Sequence, residues 1–443
     1  MSAPNRSLRI RSSAQLLCLL SKAVLLQQDQ DRARSARLSK RQWETLWELA
    51  VSNQVIPHIV KRVTELGLTK PPKELVEKAS QIRSANTARH EKALDVLAEL
   101  SAHKIRVVLL KGYLFSHALY NDPGYKKMND VDILVSDRDF ERASLLVTQL
   151  GFRPFEEFSE ADSGQKKRHH NITLVAHDRT CVIGLHWRLT SKLTRWQPDM
   201  ASVWERIVPF KVGSTQAFRM CFEDNLVHLA LHLPLFKTGL RELADGANVI
   251  SATPDFNWDL FMAHIEKARG HSPAYRYLRL TDTLGIAPIP AFMLDQLRKS
   301  ASPFIKLDTD ERASSLERVL ASRSVWQGVV EKAFIRFKKA STHHERVKLW
   351  STLWAQFLIP PTTEIYRLAP TEPKGMLAQG LARFAAPVKL FMALAQDYSY
   401  FGMAFMAINS SKLAARSLVL QMFEPPPKAS VTSEDELILK MLE

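Results

Sequence analysis

The sequence predicts an α+β fold: a small mixed β-sheet core flanked by a helical N-terminal lobe and a large all-α C-terminal region. Three observations predict it. Short apolar runs bounded by turn residues, the pattern of strands, are confined to about residues 106–189. On either side, apolar residues recur at the three- and four-residue spacing of helices. Glycine is scarce, 15 in 443 residues, which argues against an all-β or low-complexity chain. A chain this long exceeds one ordinary core. Its pattern divides into a helical lobe with a basic tip (1–83), a mixed core (84–215), a helical region (216–425) and a loose acidic tail (426–443).

Hydrophobic residues at 46% and charged residues at 24% are the proportions of a soluble globular protein. Cys18, Cys181 and Cys221 are few, far apart and odd in number, without CxxC spacing. That excludes a zinc ribbon or a disulfide framework and fits a reducing cytoplasm. No run of 18 apolar residues exists to span a membrane. The net charge of +15 has two readings: a polyanionic partner, nucleic acid or nucleotide phosphates, or a basic surface that serves solubility. No aromatic-interleaved RNA-binding signature accompanies it.

In chain order, the first 41 residues are basic and Ser-rich, with an apolar stripe at Leu16, Leu17, Leu20, Val24 and Leu25. The stripe predicts a docking helix behind a disordered basic tip; the composition alone also fits a targeting segment. Two amphipathic helices follow between Ser39 and Leu66, one burying Trp43, Leu46, Trp47 and Ala50, the next Val55, Ile59, Val60 and Val63. Pro71-Pro72 breaks the chain, and a long helix runs from Lys73 to His103. A strand at Arg106–Leu110, a turn at Lys111-Gly112, a helix and a Pro-Gly turn lead to a second strand entered by Asp130-Val131-Asp132. Ser136 or Asp137 caps a helix that Gly151 ends. A strand at Phe152–Phe158, a polar loop, and an antiparallel pair (171–176 and 180–189) turning at His177-Asp178-Arg179 complete the core. Beyond Trp204 the pattern reads as helix throughout, including 223–235, 240–250, 258–268, further segments to 357 and a last pair over 376–422.

The chemistry concentrates at Asp130 and Asp132. Side chains two apart on a strand share a face, so the carboxylates crowd together. A shared proton or a cation relieves such a pair, and Mg²⁺ held by carboxylates and substrate phosphates is the usual cation. The competing reading is a solvated strand end.

Here the chain resembles a family. Leu109-Leu110-Lys111-Gly112, Tyr120-x-Asp122-Pro123-Gly124 and Met128-Asn129-Asp130-Val131-Asp132-Ile133-Leu134-Val135 are similar to the uncharacterised nucleotidyltransferase family of the polymerase-β-like nucleotidyltransferase superfamily. The likeness continues through Leu150-Gly151-Phe152, Leu185-His186-Trp187, the segment Leu226–His232 and Leu243-Ala244-Asp245, over roughly residues 84–255.

The resemblance implies transfer of a nucleoside monophosphate from an NTP to a hydroxyl of an acceptor, a small molecule, peptide or protein. It makes Asp130 and Asp132 Mg²⁺ ligands and places Lys111 and Gly112 against the phosphates. Lys126, where the family often has Arg, becomes a second phosphate candidate, and Asp245 a family position that caps a helix or binds substrate. One departure stands out. The superfamily's third carboxylate falls at Gly184 here, which neither ligates nor takes a proton. Either Glu156, Glu157 or Asp178 substitutes, or one metal suffices, or turnover is lost and a nucleotide-binding or partner-binding protein remains. His186 is either a base or substrate contact, or a structural histidine beside Trp187. His169-His170 lie in a loop that can approach the nucleotide. His228 and His232 share a helix face, but Leu229 stands where HExxH has Glu, which favours packing over zinc. RNA binding through the basic surface is the third function class.

Overall fold

The computed structural model describes residues 3–155, 170–190, 196–232, 239–321 and 343–358, with positions 408, 411, 412 and 415. The chain forms two compact units. The first holds Met1–Ser302 and Arg312–Leu320; the second holds Pro303–Glu311 and the described residues that follow Leu320.

Five helices open the first unit: α1 (Ala3–Leu20), α2 (Gln27–Ser35), α3 (Lys40–Ser52), α4 (Ile56–Glu65) and α5 (Lys73–Ala102). Helix α1 starts at Ala3, so the basic tip expected to be disordered carries helical backbone. Leu16, Leu17 and Leu20 are buried, while Val24, past the helix end, is exposed. Ser39 and Gln42 form a reciprocal capping box at the start of α3, satisfying two backbone donors. Leu46, Trp47 and Ala50 of α3, with Ile59, Val60 and Val63 of α4, form the buried faces that the spacing predicts.

The core is one seven-stranded sheet in the order β3-β4-β5-β2-β1-β7-β6. Its strands are β1 (Val108–Leu109), β2 (Val131–Leu134), β3 (Phe152–Pro154), β4 (Asn171–Ala176), β5 (Val182–His186), β6 (Val208–Val212) and β7 (Thr215–Arg219). Strand β2 runs antiparallel to β1 and parallel to β5, and β7 runs parallel to β1. The sheet is mixed, as the sequence predicts. Helix α6 (Lys111–Ala118) links β1 to β2, α7 (Phe140–Gln149) links β2 to β3, and α8 (Met200–Glu205) precedes β6. Helix α7 starts later than expected because Ser136 Oγ and Asp139 bond each other and hold Ser136–Asp139 as a turn.

The hairpin β6–β7 corrects the expectation of unbroken helix beyond Trp204. Its two strands turn at Gly213, with φ of +59°, a conformation that glycine adopts without steric cost. Strand β7 then pairs with β1, Phe218 opposite Val108. A five-residue strand with polar alternate positions carries little apolar signal until its sheet partner is known.

The helices after the sheet are α9 (Phe222–His232), α10 (Leu240–Ser251), α11 (Trp258–Lys267), α12 (His271–Thr283), α13 (Ala291–Ser300) and α15 (Leu316–Leu320) in the first unit. Helices α14 (Pro303–Arg312) and α16 (His343–Leu358) contribute to the second unit. Asn53 ties the N-terminal lobe to these helices: its Nδ2 donates to Leu320 O at 3.1 Å and its Oδ1 accepts from Leu240 N at 2.8 Å. Among the described residues no helix is long and apolar enough to cross a membrane. The segments expected at 156–169, 376–422 and 426–443 lie outside, or almost wholly outside, the described residues.

Candidate active site

Leu110 is extended (φ −121°, ψ 155°), and its N–H donates to Asp132 O at 3.0 Å, closing β1 onto β2. The chain then turns at Lys111 with φ of +46°. Residues with a Cβ rarely occupy this left-handed region, and those that do cluster at functional sites. Helix α6 begins at this residue. The turn brings the Lys111 ammonium over β2, where Nζ donates to Asp132 Oδ2 at 2.8 Å.

Asp132 is buried, and its second oxygen is also engaged: His186 Nε2 donates to Oδ1 at 2.9 Å. An ionised carboxylate only accepts, so the imidazole proton sits on Nε2. The β2–β5 register explains the contact, for Asp132 pairs with Gly184, and His186 lies two residues on along the same face of β5. A Cβ at Gly184 would collide with Asp132 Oδ1 and lie 3.4 Å from His186 Nε2. Burial works to raise the Asp132 pKa, but Lys111 and His186 overcome it and hold the carboxyl well below the ordinary range.

Further histidines gather here. His170 lies 5.3 Å from His186 between ring centroids, and His228 and His232 of α9 lie 5.6 Å apart. Burial, then the charges of Lys111 and His186, pull His228 well below its ordinary pKa. The Lys111 charge, then burial, does the same to His232. The buried atoms His186 Nδ1 and His228 Nε2 have no hydrogen-bond partner. The i, i+4 spacing of His228 and His232 showed a shared face; only the fold shows that this face turns toward Asp132. His169 lies outside the described residues.

The other expected site residues are placed around this centre. Gly112 lies beside the Lys126 chain: a Cβ there would be 3.6 Å from Lys126 Cε. The Lys126 ammonium, a phosphate candidate in the sequence, is paired with Asp245 of α10. Asp245 thus positions Lys126 rather than capping a helix. Asn86 Nδ2 of α5 donates to Lys126 O at 2.6 Å, and Arg89 Nη1 donates to Asn86 Oδ1 at 3.2 Å, so α5 braces the segment entering β2. Asp130 differs from Asp132 in setting: it is exposed, just before β2, within electrostatic reach of Arg89 and Arg241. Asp178, one substitute considered for the third carboxylate, sits at the β4–β5 turn, bonded to Thr180 and paired with Lys92 at 3.2 Å. Glu156 and Glu157 lie outside the described residues.

The donor set bears on the magnesium expectation. Among the described residues no three His, Cys, Asp or Glu side chains are grouped to hold a metal. Two carboxylates and substrate phosphates suit Mg²⁺, which keeps its waters and rarely uses an all-protein cage. Asp132 has both oxygens engaged and Gly184 has none to offer. The residues therefore fit one ion that arrives with a triphosphate, on displacement of Lys111 from Oδ2, and do not fit two.

A search of curated proteins found no match, and a search of solved structures found none. The family model described as "Uncharacterised nucleotidyltransferase" matches residues 39–285, which takes in α3 to α12 and the whole sheet, including β1, β2, the Lys111 turn and Asp245. Covering more than half of its length, that match assigns the chain to the uncharacterised nucleotidyltransferase family.

Proposed function

We propose that this protein binds a nucleoside triphosphate at the Lys111–Gly112 turn and transfers its nucleoside monophosphate to a hydroxyl of a small molecule, peptide or protein. The observation that carries the reading is Lys111 itself: a strained turn residue at the start of α6, its ammonium resting on Asp132. A triphosphate competes for that ammonium and meets the backbone N–H groups that open the helix. Asp130 and Asp132 would hold one Mg²⁺, which neutralises phosphate charge when bound.

The chain's own groups supply the rest. The acceptor oxygen attacks the α-phosphorus, the bond to the β-phosphate oxygen breaks, and pyrophosphate leaves. The hydroxyl proton needs a base. His186 is oriented by Asp132 through Nε2, and its Nδ1 carries an unused lone pair. The neutral face of His228 and His232 lowers the local polarity around Lys111 and strengthens its attraction for phosphate.

The test is binding of ATP, GTP, CTP and UTP, with and without Mg²⁺, to wild type and to Asp130→Asn/Asp132→Asn. Mg²⁺-dependent binding that the double variant loses is expected. Absence of nucleotide binding under every condition would overturn the reading. A second reading, a nucleotide-binding protein without turnover, is favoured by Gly184 and by the saturation of Asp132. Nucleotide that binds but yields no labelled acceptor from α-labelled NTP, across lysate fractions, selects it.

A further inference from the structure

At the other end of β1 and β2 from Lys111, the chain forms a groove of about 460 Å³. Arg106 before β1, Arg138 before α7 and Arg188 after β5 line it, together with Trp187 and Trp204. Five residues separate Arg106 from Lys111, about 16 Å of extended chain, so this is a second place and not a lobe of the Asp132 site. Its volume is that of a small-ligand pocket.

Two features give the groove a chemistry. Its three guanidiniums make no ion pair with the described residues, although Asp137 and Asp139 also line it. Asp139 is occupied by Ser136 Oγ at 2.7 Å. The groove also sets flat groups side by side: the Arg106 guanidinium lies over the Trp204 ring at 5.5 Å from its centroid, and Trp187 packs on Phe140 at 4.4 Å. Guanidinium planes and aromatic rings stack on nucleobases, and arginine forks match phosphate oxygens. A peptide carboxylate would use the charges but not the plates. The overall charge of +15 adds long-range attraction for a polyanion.

We propose that this groove binds one nucleotide unit at the end of a single-stranded nucleic acid. The base stacks beside Trp204 and Arg106, and the phosphate is held by Arg138 and Arg188. The site uses none of the groups around Asp132, so it stands whether or not the nucleotidyl transfer reading does.

The test is fluorescence anisotropy with labelled eight-nucleotide oligouridylate and oligoadenylate, on the full chain and on Arg106→Ala/Arg138→Ala/Arg188→Ala. None of the three arginines is fully buried, so the variant is expected to fold with an unchanged melting temperature. The expected result is a roughly 100-fold weaker strand affinity in the variant. The slope of log affinity against log salt is expected to fall by about 2, from about 0.7 per lost phosphate contact. Unlabelled UMP displacing the strand at millimolar concentration supports seating of a single unit. UMP binding as tightly as the strand would overturn the strand assignment in favour of a free mononucleotide. Equal strand affinity in variant and wild type, or no binding of strand or UMP by wild type, would overturn the site.

Discussion

Gly184 faces Asp132 across the β2–β5 register, and the space left by its missing side chain is the space the Asp132 carboxylate fills on its way to His186. The position that carries a carboxylate elsewhere in the superfamily thus serves here to let Asp132 reach a histidine.

Substitution at this position is therefore sensitive. Gly184→Ala pushes Asp132 off His186 and should lower stability by about 1–3 kcal/mol, as overpacking of a filled site does. Gly184→Asp adds a second charge beside a buried one, so its melting temperature should fall further and rise again with Mg²⁺. Thermal unfolding with and without Mg²⁺ reads both. An Ala variant as stable as wild type would mean that the packing at Gly184 is loose.

Lys111 combines a backbone effect with a charge effect, and two variants separate them. Lys111→Ala keeps the left-handed strain at φ +46° and loses the ammonium. Lys111→Gly loses the ammonium and relieves the strain. Both should lose NTP affinity by tenfold or more, while the Gly variant should be about 1 kcal/mol more stable than the Ala variant. Chemical denaturation provides the comparison, and equal stabilities would remove strain from the account.

The Lys126–Asp245 pair joins the segment entering β2 to α10 in a largely buried setting. A double-mutant cycle with Lys126→Met and Asp245→Asn should show a coupling of about 1–3 kcal/mol, the range for residues in direct contact. Additive effects would show that the two side chains act apart.

His58 predicts an acid weakness. Its ring is buried, Nε2 donates to Leu20 O at 2.7 Å, and Tyr125 lies 4.1 Å away between ring centroids. Burial, then the Arg62 charge, lowers its pKa to about 3, against the opposing pull of the Leu20 bond. A folded pKa below the unfolded one means the stability is fully present above pH ~6.5 and is lost as pH falls toward 3. The loss is on the order of 4 kcal/mol by pH 3. Between pH 7 and 4, the urea-unfolding free energy of wild type should fall more steeply than that of His58→Gln, by up to about 1.4 kcal/mol per pH unit. Parallel curves would exclude His58 as the cause.

Much of the fold was legible. Helical spacing located α3, α4, α5, α9, α10 and α11 within a few residues, and Ser39 and Gly151 stand where a cap and a stop were expected. The β6–β7 hairpin was missed because its second strand is defined by pairing with β1, more than a hundred residues earlier. At the site, Lys111, Asp132 and His186 were named and do meet. The arginine groove had no sequence signal, because Arg106, Arg138 and Arg188 are ordinary surface residues until three strand ends bring them together.

The sequence by itself determined the local pieces: helices from apolar period, strands from apolar runs, turns from glycine and proline, and two carboxylates at a strand mouth. These depend on neighbours a few residues apart, so periodicity and turn chemistry suffice to read them. The tertiary structure alone decided what Asp132 does. The parallel register of β2 with β5 sets Gly184 beside it and His186 within reach, the left-handed turn at Lys111 folds an ammonium onto it, and α9 turns two histidines toward it. Those partners lie between 21 and 100 positions away in sequence, at Lys111, His186, His228 and His232. Only the pairing of strands and the packing of a helix on the sheet bring them to one carboxylate.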